Sequence, residues 1–576
     1  MGGEGRAWAM RLIPVLIVAA VVVAFLPALG NGFTNWDDQK NFLTNLEYRG
    51  LGPAQLKWMF STFLLGHWHP LTWLTLGLDY VVWGMNPLGY HLTSLLIHAA
   101  NAILLYGLLQ SLLRLAGRAP LPAAAAAGAL LYAIHPLRVE SVVWITERRD
   151  VLCGFFVLLS LTAYLKRVDE ERQGRPGTRW LLLSVAAFAA SLMSKALGIL
   201  LPAVLLILDI YPLGRFQPEN RRRVLLEKLP FLLLSCADAA VMVFAMRHIQ
   251  AVRSIGTYHL FERIAQAAYG LCFYPLKMLW PSPLIPLYRI EKTLNPWEAK
   301  YVLAMVAVAG TTAALVAFRR RIPWGLAAWL CYGILVSPVL GVAVTGMQIV
   351  ADRYSYLCLL PASVLLTAAL DRLGRNPSTC RAAAGGAALA LALLGLLTTT
   401  QSLVWRDSIT LWSHQLRFDP DCDLAYNSRG AARQDRGDAL GAIEDCTRSI
   451  QLEPAMADPY LNRGLARAGL GDLDRALQDF DRVIELAPSR ADGFTNRGVT
   501  RIRMGDPEGA MADLTLALER NGSKAETYAA RGSLRASRGD LRRAVEDFEQ
   551  ALREAPPEWP PRADVERKLD RARRLR

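Results

Sequence analysis

Long apolar runs divide this chain into two physically different halves. From Leu12 to about Thr400 the 576-residue sequence is a series of apolar runs, whereas from Trp405 onward charged residues recur every few positions. A helix needs about 20 apolar residues to cross roughly 30 Å of hydrocarbon, and many of the runs approach that length. The sequence therefore predicts an all-α protein with a multi-span membrane domain over residues 1–404 and a separate helical domain over residues 405–576.

The apolar runs predict eleven membrane spans and leave one segment ambiguous. The predicted spans lie at about 12–29, 92–112, 121–135, 150–165, 180–194, 196–211, 229–246, 299–318, 323–340, 354–370 and 382–402. Segment 264–280 does not fit as a simple span, because the loops on both sides of it are assigned to the outside. It is expected to re-enter the membrane, to lie along its surface, or to reflect a miscounted neighbour.

The formal net charge of +14 is interpreted as membrane topology. Much of the excess lies in short loops between apolar runs, including 166–179, 215–223 and 319–321, where Lys and Arg mark the cytoplasmic side. The N-terminus is then cytoplasmic and the C-terminal half is outside. The predicted partner is the bilayer, and no nucleic acid is predicted. Short loops and a bias to Ala, Arg and Gly favour a bacterial inner-membrane protein with periplasmic repeats. A eukaryotic source would place it in the endoplasmic reticulum membrane.

Glycines recur at a fixed step of 34 residues through the C-terminal half. The in-phase positions are Gly430, Gly464, Gly498 and Gly532; the Gly-Asp pairs beginning at Gly437, Gly471, Gly505 and Gly539; Ala442, Ala476, Ala510 and Ala544; and Pro454, Pro488 and Pro556. A helix-turn-helix unit explains this pattern. The first glycine permits close approach of two helices, Gly-Asp ends the first helix, and the alanine packs where the helices cross.

This segment resembles tetratricopeptide repeats, whose arrays usually present a groove for an extended peptide. Asn427, Asn462 and Asn496 are candidate contacts to a peptide backbone, and the alternative is that they hydrogen bond within the array. Cys422 and Cys446 could pair in an oxidising compartment, which the sequence does not decide.

Ionisable residues of the membrane half gather at the predicted outer surface. Asp37 and Asp38 stand just beyond the first span, where adjacent carboxylates need solvent, a cation or a reactive partner. The same surface carries His67–Pro70, His135–Glu140, Glu147–Asp150, Ser194-Lys195 and Asp352–Tyr356. Alone, an adjacent acid pair favours helix capping or surface charge. Together, these groups supply carboxylates to activate a hydroxyl and cations to hold a phosphate.

The order of these motifs resembles the transmembrane and tetratricopeptide repeat O-mannosyltransferase family and its bacterial relatives. The motifs that carry the resemblance are Trp36-Asp37-Asp38, His135-Pro136 to Asp150, Ser194-Lys195 to Asp209, Ala351 to Tyr356 and Trp405 to Trp412, followed by the repeats. The resemblance implies a GT-C glycosyltransferase fold, a polyprenyl-phosphate sugar donor, and catalysis in the first extracytoplasmic loop. It also implies mannose as the sugar and protein serine or threonine as the acceptor.

The mechanistic hypothesis makes Asp37 or Asp38 the general base for an inverting transfer. Arg148, Arg149, Lys195 and Arg353 are candidates for the donor phosphate, and His69, His135, Glu140, Asp150 and Tyr356 complete the candidate substrate-binding set. Among these, His69, His135 and Glu140 are expected to orient their neighbours. Two adjacent acids do not make a complete metal site, so no metal or other cofactor is predicted, although a divalent cation at Asp37 and Asp38 is an alternative.

Two other functions compete with a protein O-mannosyltransferase. A noncatalytic membrane-anchored scaffold would explain the apolar runs and the repeats, which would then recruit a partner protein. It would not explain ionisable residues gathered at the outer ends of several spans. A ligase or polymerase of cell-surface glycans with the same fold would use the same donor, and the identity of the acceptor separates it from the first prediction.

Overall fold

The chain divides into two compact units, Met1–Asp407 and Ser408–Arg576. The computed structural model describes residues 3–118, 120–248, 259–291, 293–341, 348–520, 524–555 and 559–576. Helices predominate in both units, which confirms the predicted all-α fold class.

Apolar helices build the first unit. They are α1 (Gly3–Phe25), α2 (Pro53–Ser61), α3 (Pro70–Trp83), α4 (Pro87–Leu115), α5 (Pro122–Ala133), α6 (Val139–Val143), α7 (Arg148–Arg172), α8 (Thr178–Leu192), α9 (Leu201–Ile210), α10 (Arg221–His248), α11 (Leu260–Leu279), α12 (Ala299–Ala317), α13 (Pro323–Val336), α14 (Ser355–Cys358), α15 (Leu360–Arg375) and α16 (Cys380–Val404). Two short antiparallel strands, β1 (Tyr288–Arg289) and β2 (Gln348–Val350), pair Tyr288 with Val350.

Six helical segments among the described residues are long and apolar enough to cross a membrane. They are Leu12–Gly30, Pro87–Leu115, Ile145–Arg172, Arg221–Ala245, Ala299–Ala317 and Cys380–Val404. The pair Asp352–Cys358 and Leu360–Arg375, bent by 59°, makes a seventh if it is one span. The chain is thus a multi-pass membrane protein, as predicted.

Four of the eleven predicted spans correspond to apolar helices that are too short to meet this length. They are Pro122–Ala133, Thr178–Leu192, Ala196–Ile210 and Pro323–Val339. The 12-residue α5, for example, rises only about 18 Å. The ambiguous segment 264–280 lies in the single helix α11, which carries Glu262, Arg263 and Lys277 and is not among the candidate spans. Hydropathy alone therefore overcounted the full spans.

Helix ends in the first unit place polar loops between the apolar helices. Proline begins α3, α4 and α5, where its missing N–H leaves no hydrogen bond unmade. Short 3₁₀ turns at Ile145–Glu147, Ala196–Gly198 and Asp352–Tyr354 interrupt the helical runs. Each of these turns lies beside one of the sequence motifs.

Helical hairpins build the second unit. The helices are α17 (Ser408–Phe418), α18 (Asp423–Asp435), α19 (Ala439–Leu452), α20 (Ala457–Leu470), α21 (Leu473–Leu486), α22 (Ala491–Met504), α23 (Pro507–Glu519), α24 (Lys524–Ser537), α25 (Leu541–Glu554) and α26 (Arg562–Leu575). This series of paired helices is the predicted repeat solenoid.

The in-phase glycines and aspartates have the predicted local roles. Gly471 and Gly505 follow α20 and α22 with φ of 87° and 80°, a conformation that glycine adopts without strain. Asp506 then caps α23, because its side chain accepts a hydrogen bond from the Gly509 backbone N at 2.9 Å. A Cβ on Gly464 would lie 2.7 Å from the Phe480 ring, so this glycine sets the distance between α20 and α21.

Buried arginine–aspartate pairs join the two helices of each repeat, a feature that the sequence analysis missed. In one repeat, Arg463 donates to both carboxylate oxygens of Asp479, and Arg467 donates to Oδ2 at 2.8 Å. The equivalent aspartates Asp445, Asp513 and Asp547 each pair with arginines 16 and 12 positions earlier in the chain. These pairs keep the 34-residue step.

The candidate peptide contacts make hydrogen bonds within the repeats. Asn462 Nδ2 donates to Asn427 Oδ1 at 2.9 Å, and Asn496 Nδ2 donates to the Asp492 carbonyl oxygen at 2.9 Å. Their peptide-binding role stays a prediction. Cys422 and Cys446 are both buried, and no disulfide joins them among the described residues. Pro556 lies outside the described residues.

Candidate active site

Glu147 lies at the centre of a cluster of cations in the first unit. It ends the 3₁₀ turn that precedes α7, and its side chain is fully buried. Arg149 Nη2 donates to its Oε1 at 2.6 Å, Lys195 Nζ donates to its Oε2 at 2.6 Å, and Arg353 Nε lies 3.4 Å from Oε1. One buried carboxylate therefore brings together cations from three distant segments.

Lys195 is held between two acids. Its Nζ also donates to Asp150 Oδ1 at 2.6 Å, and Asp150 Oδ2 accepts from Ser141 Oγ at 3.0 Å. The Lys195 side chain is 16% exposed and that of Arg149 is 11% exposed, whereas both acids are fully buried. The two cations therefore keep an accessible side from which they can meet an anionic ligand.

Arg353 is fixed by an acid and an aromatic ring. Glu140 forms an ion pair with its guanidinium and accepts a hydrogen bond from its backbone N at 2.8 Å. The guanidinium carbon lies 5.5 Å from the centroid of the Trp144 ring, which stacks on Trp405. Glu140 thus holds Arg353 in place, and its role in substrate binding stays a prediction.

Asp38 joins the loop after α1 to the turn before α7. Its Oδ2 accepts from the Thr34 backbone N at 2.9 Å, and its Oδ1 accepts from Thr146 Oγ1 at 2.6 Å. The side chain is buried, and burial raises the pKa of Asp38 to about 6 despite these hydrogen bonds. Because both oxygens are engaged inside the protein, the geometry gives Asp38 a structural role.

Asp37 has different surroundings from its neighbour. The residue is half-buried, and among the described residues no group donates a hydrogen bond to its carboxylate. Burial raises the pKa of Asp37, while the positive charges of Arg149 and Arg353 partly offset that increase. Asp37 is therefore an acceptor with an unused hydrogen-bonding capacity beside the cation cluster.

Two histidines stand near the same cations. His69 stacks on Trp73 with ring centroids 5.2 Å apart, and the ring centroids of His67 and His69 are 6.2 Å apart. Burial lowers the pKa of His67 to about 3 and that of His69 well below its ordinary value, and Arg149 adds to both effects. Both imidazoles are consequently neutral at physiological pH.

Arg148 does not join the cluster, and its contacts do not support the predicted role at the donor phosphate. Its fully buried guanidinium forms an ion pair with Asp79 and donates to Ser94 Oγ and to the Tyr90 carbonyl oxygen. Every nitrogen of the side chain is used inside the protein. Adjacent residues in a helix point about 100° apart, so Arg148 and Arg149 face different surroundings.

His135 and Tyr356 are also held away from the cluster. His135 Nδ1 accepts from the Leu137 backbone N at 3.2 Å, and its Nε2 lies 3.0 Å from the Met278 carbonyl oxygen. The Tyr356 hydroxyl contacts His98 Nδ1 and Asn101 Nδ2, both at 2.8 Å, and the residue is buried. In the described structure these two side chains support local packing.

The structure adds residues that the sequence analysis did not select. Glu147 and His67 stood inside the quoted motifs but were not among the candidates. The acid directly before two arginines in Glu147–Asp150 was an available signal for Glu147. Trp144 carried no comparable signal, because its position beside Arg353 depends on contacts between segments that are far apart in sequence.

The contacts of Asp37 and Asp38 define the ligands that a divalent cation would have there. Among the described residues, no group of three or more His, Cys, Asp or Glu side chains is arranged to hold a metal ion. Since both Asp38 oxygens accept hydrogen bonds, a cation there would have the Asp37 carboxylate as its available protein ligand.

Comparison with known proteins identifies relatives of both halves. The family model for the tetratricopeptide repeat matches residues 457–490 and 525–558. Human protein O-mannosyl-transferase TMTC4 is 25% identical over 501 residues, covering 74% of this chain and 65% of the relative. Drosophila melanogaster protein O-mannosyl-transferase Tmtc3 is 22% identical over 451 residues, covering 67% of this chain and 48% of the relative. The chain thus spans less than two thirds of each relative.

A solved structure of a repeat protein also matches. The Thermus thermophilus tetratricopeptide repeat protein TTC0263 is 21% identical, with a TM-score of 0.25, and the match covers 32% of this chain and 95% of that protein.

Proposed function

Because the chain belongs to the transmembrane and tetratricopeptide repeat O-mannosyltransferase family, we propose that it is a membrane glycosyltransferase. The donor is mannose linked to a polyprenyl phosphate, and the acceptor is a serine or threonine hydroxyl of a protein. One observation carries the proposal: the half-buried Asp37 carboxylate has no hydrogen-bond donor among the described residues and lies in the field of Arg149 and Arg353.

Asp37 is the general base of the proposed reaction. The acceptor hydroxyl donates its proton to the carboxylate while its oxygen forms a bond to the anomeric carbon. The bond between that carbon and the phosphate oxygen breaks, and the configuration of the carbon inverts. Burial supports this role, because a raised pKa makes Asp37 a stronger base than a solvated aspartate.

Arg149 and Lys195 hold the donor phosphate. A sugar phosphodiester carries one negative charge, and the polyprenyl phosphate that leaves carries a second. The exposed sides of these two cations stabilise the negative charge of the leaving phosphate. Glu147 and Asp150 keep the cations in place through their ion pairs. Charge stays balanced in the step, because Asp37 becomes neutral as the leaving phosphate becomes more negative.

The neutral histidines are better matched to the hydroxyl groups of the donor sugar than to the charged donor phosphate. His67 and His69 lie near the cations but add no charge, since their pKa values are lowered. A neutral imidazole donates one hydrogen bond and accepts another, which matches the two-way hydrogen bonding of sugar hydroxyls. Their place in the reaction is orientation of the donor.

We further propose a bacterial inner-membrane location with the cation cluster and the repeats on the periplasmic side. The far end of α7 and the neighbouring helix ends carry most of the local Lys and Arg, as expected for a cytoplasmic face. The repeats would bind the acceptor protein or a partner protein, the usual role of such arrays.

The proposal is tested by sugar transfer from a polyprenyl-phosphate mannose to an acceptor peptide. Asp37→Asn is expected to lower kcat by about 10²–10⁴-fold, the usual contribution of a general base. In the wild-type protein, kcat should fall as pH decreases through the raised pKa of Asp37, because the base must be ionised. Asp37→Asn should show no such decrease in its residual activity.

Asp38→Asn is the matched control. It replaces one of the two acceptor oxygens with an NH2 group, so either Thr34 or Thr146 loses its acceptor. The melting temperature is therefore expected to fall, whereas Asp37→Asn should leave it unchanged. Full activity of a folded Asp37→Asn variant would contradict the proposed base.

A further inference from the structure

A second cluster of charged side chains lies at the opposite end of α7 from Glu147. Arg149 and Arg167 are 18 positions apart on this helix, which corresponds to about 27 Å. Arg167 donates to Glu171 at 3.0 Å and forms an ion pair with Glu227 on α10. The proposed transfer reaction uses none of these groups.

Ion pairs connect the side chains of this second cluster. Arg215 lies 2.8 Å from Asp209 and 2.9 Å from Glu227, and Lys228 Nζ lies 2.5 Å from Asp209. The acids of the network are therefore all matched by cations. Any further basic residue nearby therefore adds positive charge that no acid of the network neutralises.

A cavity of about 540 Å³ opens beside the network. Arg167, Arg222 and Arg223 line it together with Leu181 and Leu226, and the acids in its wall are Glu219 and Glu227. Glu227 already has four cationic partners, which are Arg167, Arg215, Arg223 and Lys228. The lining thus combines an excess of guanidinium groups with apolar walls.

Two of the lining arginines have unused donors. Arg222 is exposed and forms no ion pair or hydrogen bond within the described part of the chain. The Nη1 atom of Arg167, a residue that is 4% exposed, is buried without a hydrogen-bond partner among the described residues. Arg222 also stands in the first turn of α10, where a positive charge opposes the helix dipole. An anion bound at Arg222 would pair with this guanidinium and offset the unfavourable charge at the start of α10.

Apolar residues continue from the cavity along the same helix. Arg222, Leu226, Leu229 and Leu233 are spaced by four, three and four positions, so they fall on one face of α10. The three leucines are 57%, 49% and 62% exposed, and they lie within the candidate span Arg221–Ala245. In a membrane, lipid acyl chains would contact these leucines. Because Arg222 lies at the beginning of the same span, the lipid headgroups would lie at its level.

We propose that this cavity is a specific binding site for an anionic glycerophospholipid. The phosphate contacts Arg222 and Arg223 at the mouth, and an acyl chain follows Leu226, Leu229 and Leu233. Basic pockets between membrane helices are a recognised form of headgroup site. The apolar face favours a lipid over free phosphate, because free phosphate would gain nothing from the leucines.

The test measures binding of phosphatidylglycerol and phosphatidylcholine to the full chain in detergent by native mass spectrometry. The wild-type protein is expected to retain phosphatidylglycerol in preference to phosphatidylcholine. Arg222→Gln should weaken phosphatidylglycerol binding about fivefold, the usual effect of one basic residue near an anionic lipid. Leu229→Gln should also weaken it, and inorganic phosphate should not displace the lipid.

Arg320→Gln is the matched control, because Arg320 is another exposed arginine in a turn between two apolar helices and has no partner among the described residues. It should bind phosphatidylglycerol like the wild-type protein. Equal losses in Arg222→Gln and Arg320→Gln would show a general charge effect and overturn the proposal. Unchanged binding in a folded Arg222→Gln variant, or displacement of the lipid by inorganic phosphate, would also overturn it.

Discussion

Asp37 and Asp38 are neighbours in the chain, but their carboxylates meet different environments. Asp38 is saturated by Thr34 and Thr146, whereas Asp37 has free acceptor capacity beside Arg149 and Arg353. A residue whose oxygens are all engaged cannot take a proton from a substrate without breaking those bonds. The contrast separates a structural acid from a candidate base, which the sequence alone left open.

Arg148 and Arg149 give a second contrast between adjacent residues. Arg148→Gln leaves Asp79 buried without its cation, so we expect a loss of about 3–5 kcal/mol in the free energy of unfolding. Arg149→Gln leaves Glu147 paired with Lys195 and Arg353, so it should be less destabilising. It should instead lower kcat about 10²-fold, as expected for a lost donor to the leaving phosphate.

Thermal unfolding and the transfer assay, run on the same preparations, measure both quantities. A folded Arg148→Gln variant with wild-type stability, or an Arg149→Gln variant with wild-type kcat, would contradict the assigned roles.

Sequence reasoning found most segments of the site but not the contacts among their side chains. Adjacent acids after a span, and Lys or Arg at the predicted outer ends of spans, are local signals that selected Asp37, Arg149, Lys195 and Arg353 as candidates. The pairing of Arg148 with Asp79 joins residues 69 positions apart and has no local signal. Which of two neighbouring residues faces a site depends on helix rotation, which is fixed by packing.

At the scale of elements, the repeat hairpins depend on glycines that play two different parts. Gly464 and Gly469 both lie in α20, but a Cβ on Gly464 would meet the buried Phe480 ring at 2.7 Å, whereas a Cβ on Gly469 would meet nothing closer than 4.0 Å. Only the first glycine is needed for close packing of α20 against α21.

We therefore expect different effects on stability from two alanine substitutions in one helix. Gly464→Ala should reduce stability by about 1–3 kcal/mol because the Phe480 ring must move. Gly469→Ala should be neutral or stabilise by up to about 1 kcal/mol, since alanine favours a helix. Hydrogen exchange of the α20 and α21 amides in the full chain measures both effects. Equal protection in the two variants would contradict the packing role of Gly464.

The sequence predicted the presence of the helices more accurately than their lengths. Each of the eleven apolar runs corresponds to helical structure, and the 34-residue step identified the hairpins, because both signals are local and periodic. The breaks at Ala196–Gly198 and Asp352–Tyr354 were not predicted as 3₁₀ turns. Such turns depend on contacts with other segments. The overcount of full spans has another source, which is four apolar runs whose helices are too short.

At the scale of the whole molecule, α7 connects two clusters with different chemistry. The cluster at its beginning offers a carboxylate with unused acceptor capacity and partly exposed cations, and the cluster at its end is a network of ion pairs beside a basic cavity. We assign sugar transfer to the first and lipid binding to the second. Because different residues carry the two assignments, either can fail without the other.

The position of the donor phosphate tests the central claim most directly. It can be measured in an experimental structure of the full-length Asp37→Asn variant with polyprenyl-phosphate mannose, since loss of the base should preserve the bound donor. The account predicts a phosphate oxygen within about 3 Å of Arg149 or Lys195, with the anomeric carbon facing residue 37. A donor phosphate bound away from both cations, with the anomeric carbon remote from residue 37, would contradict it.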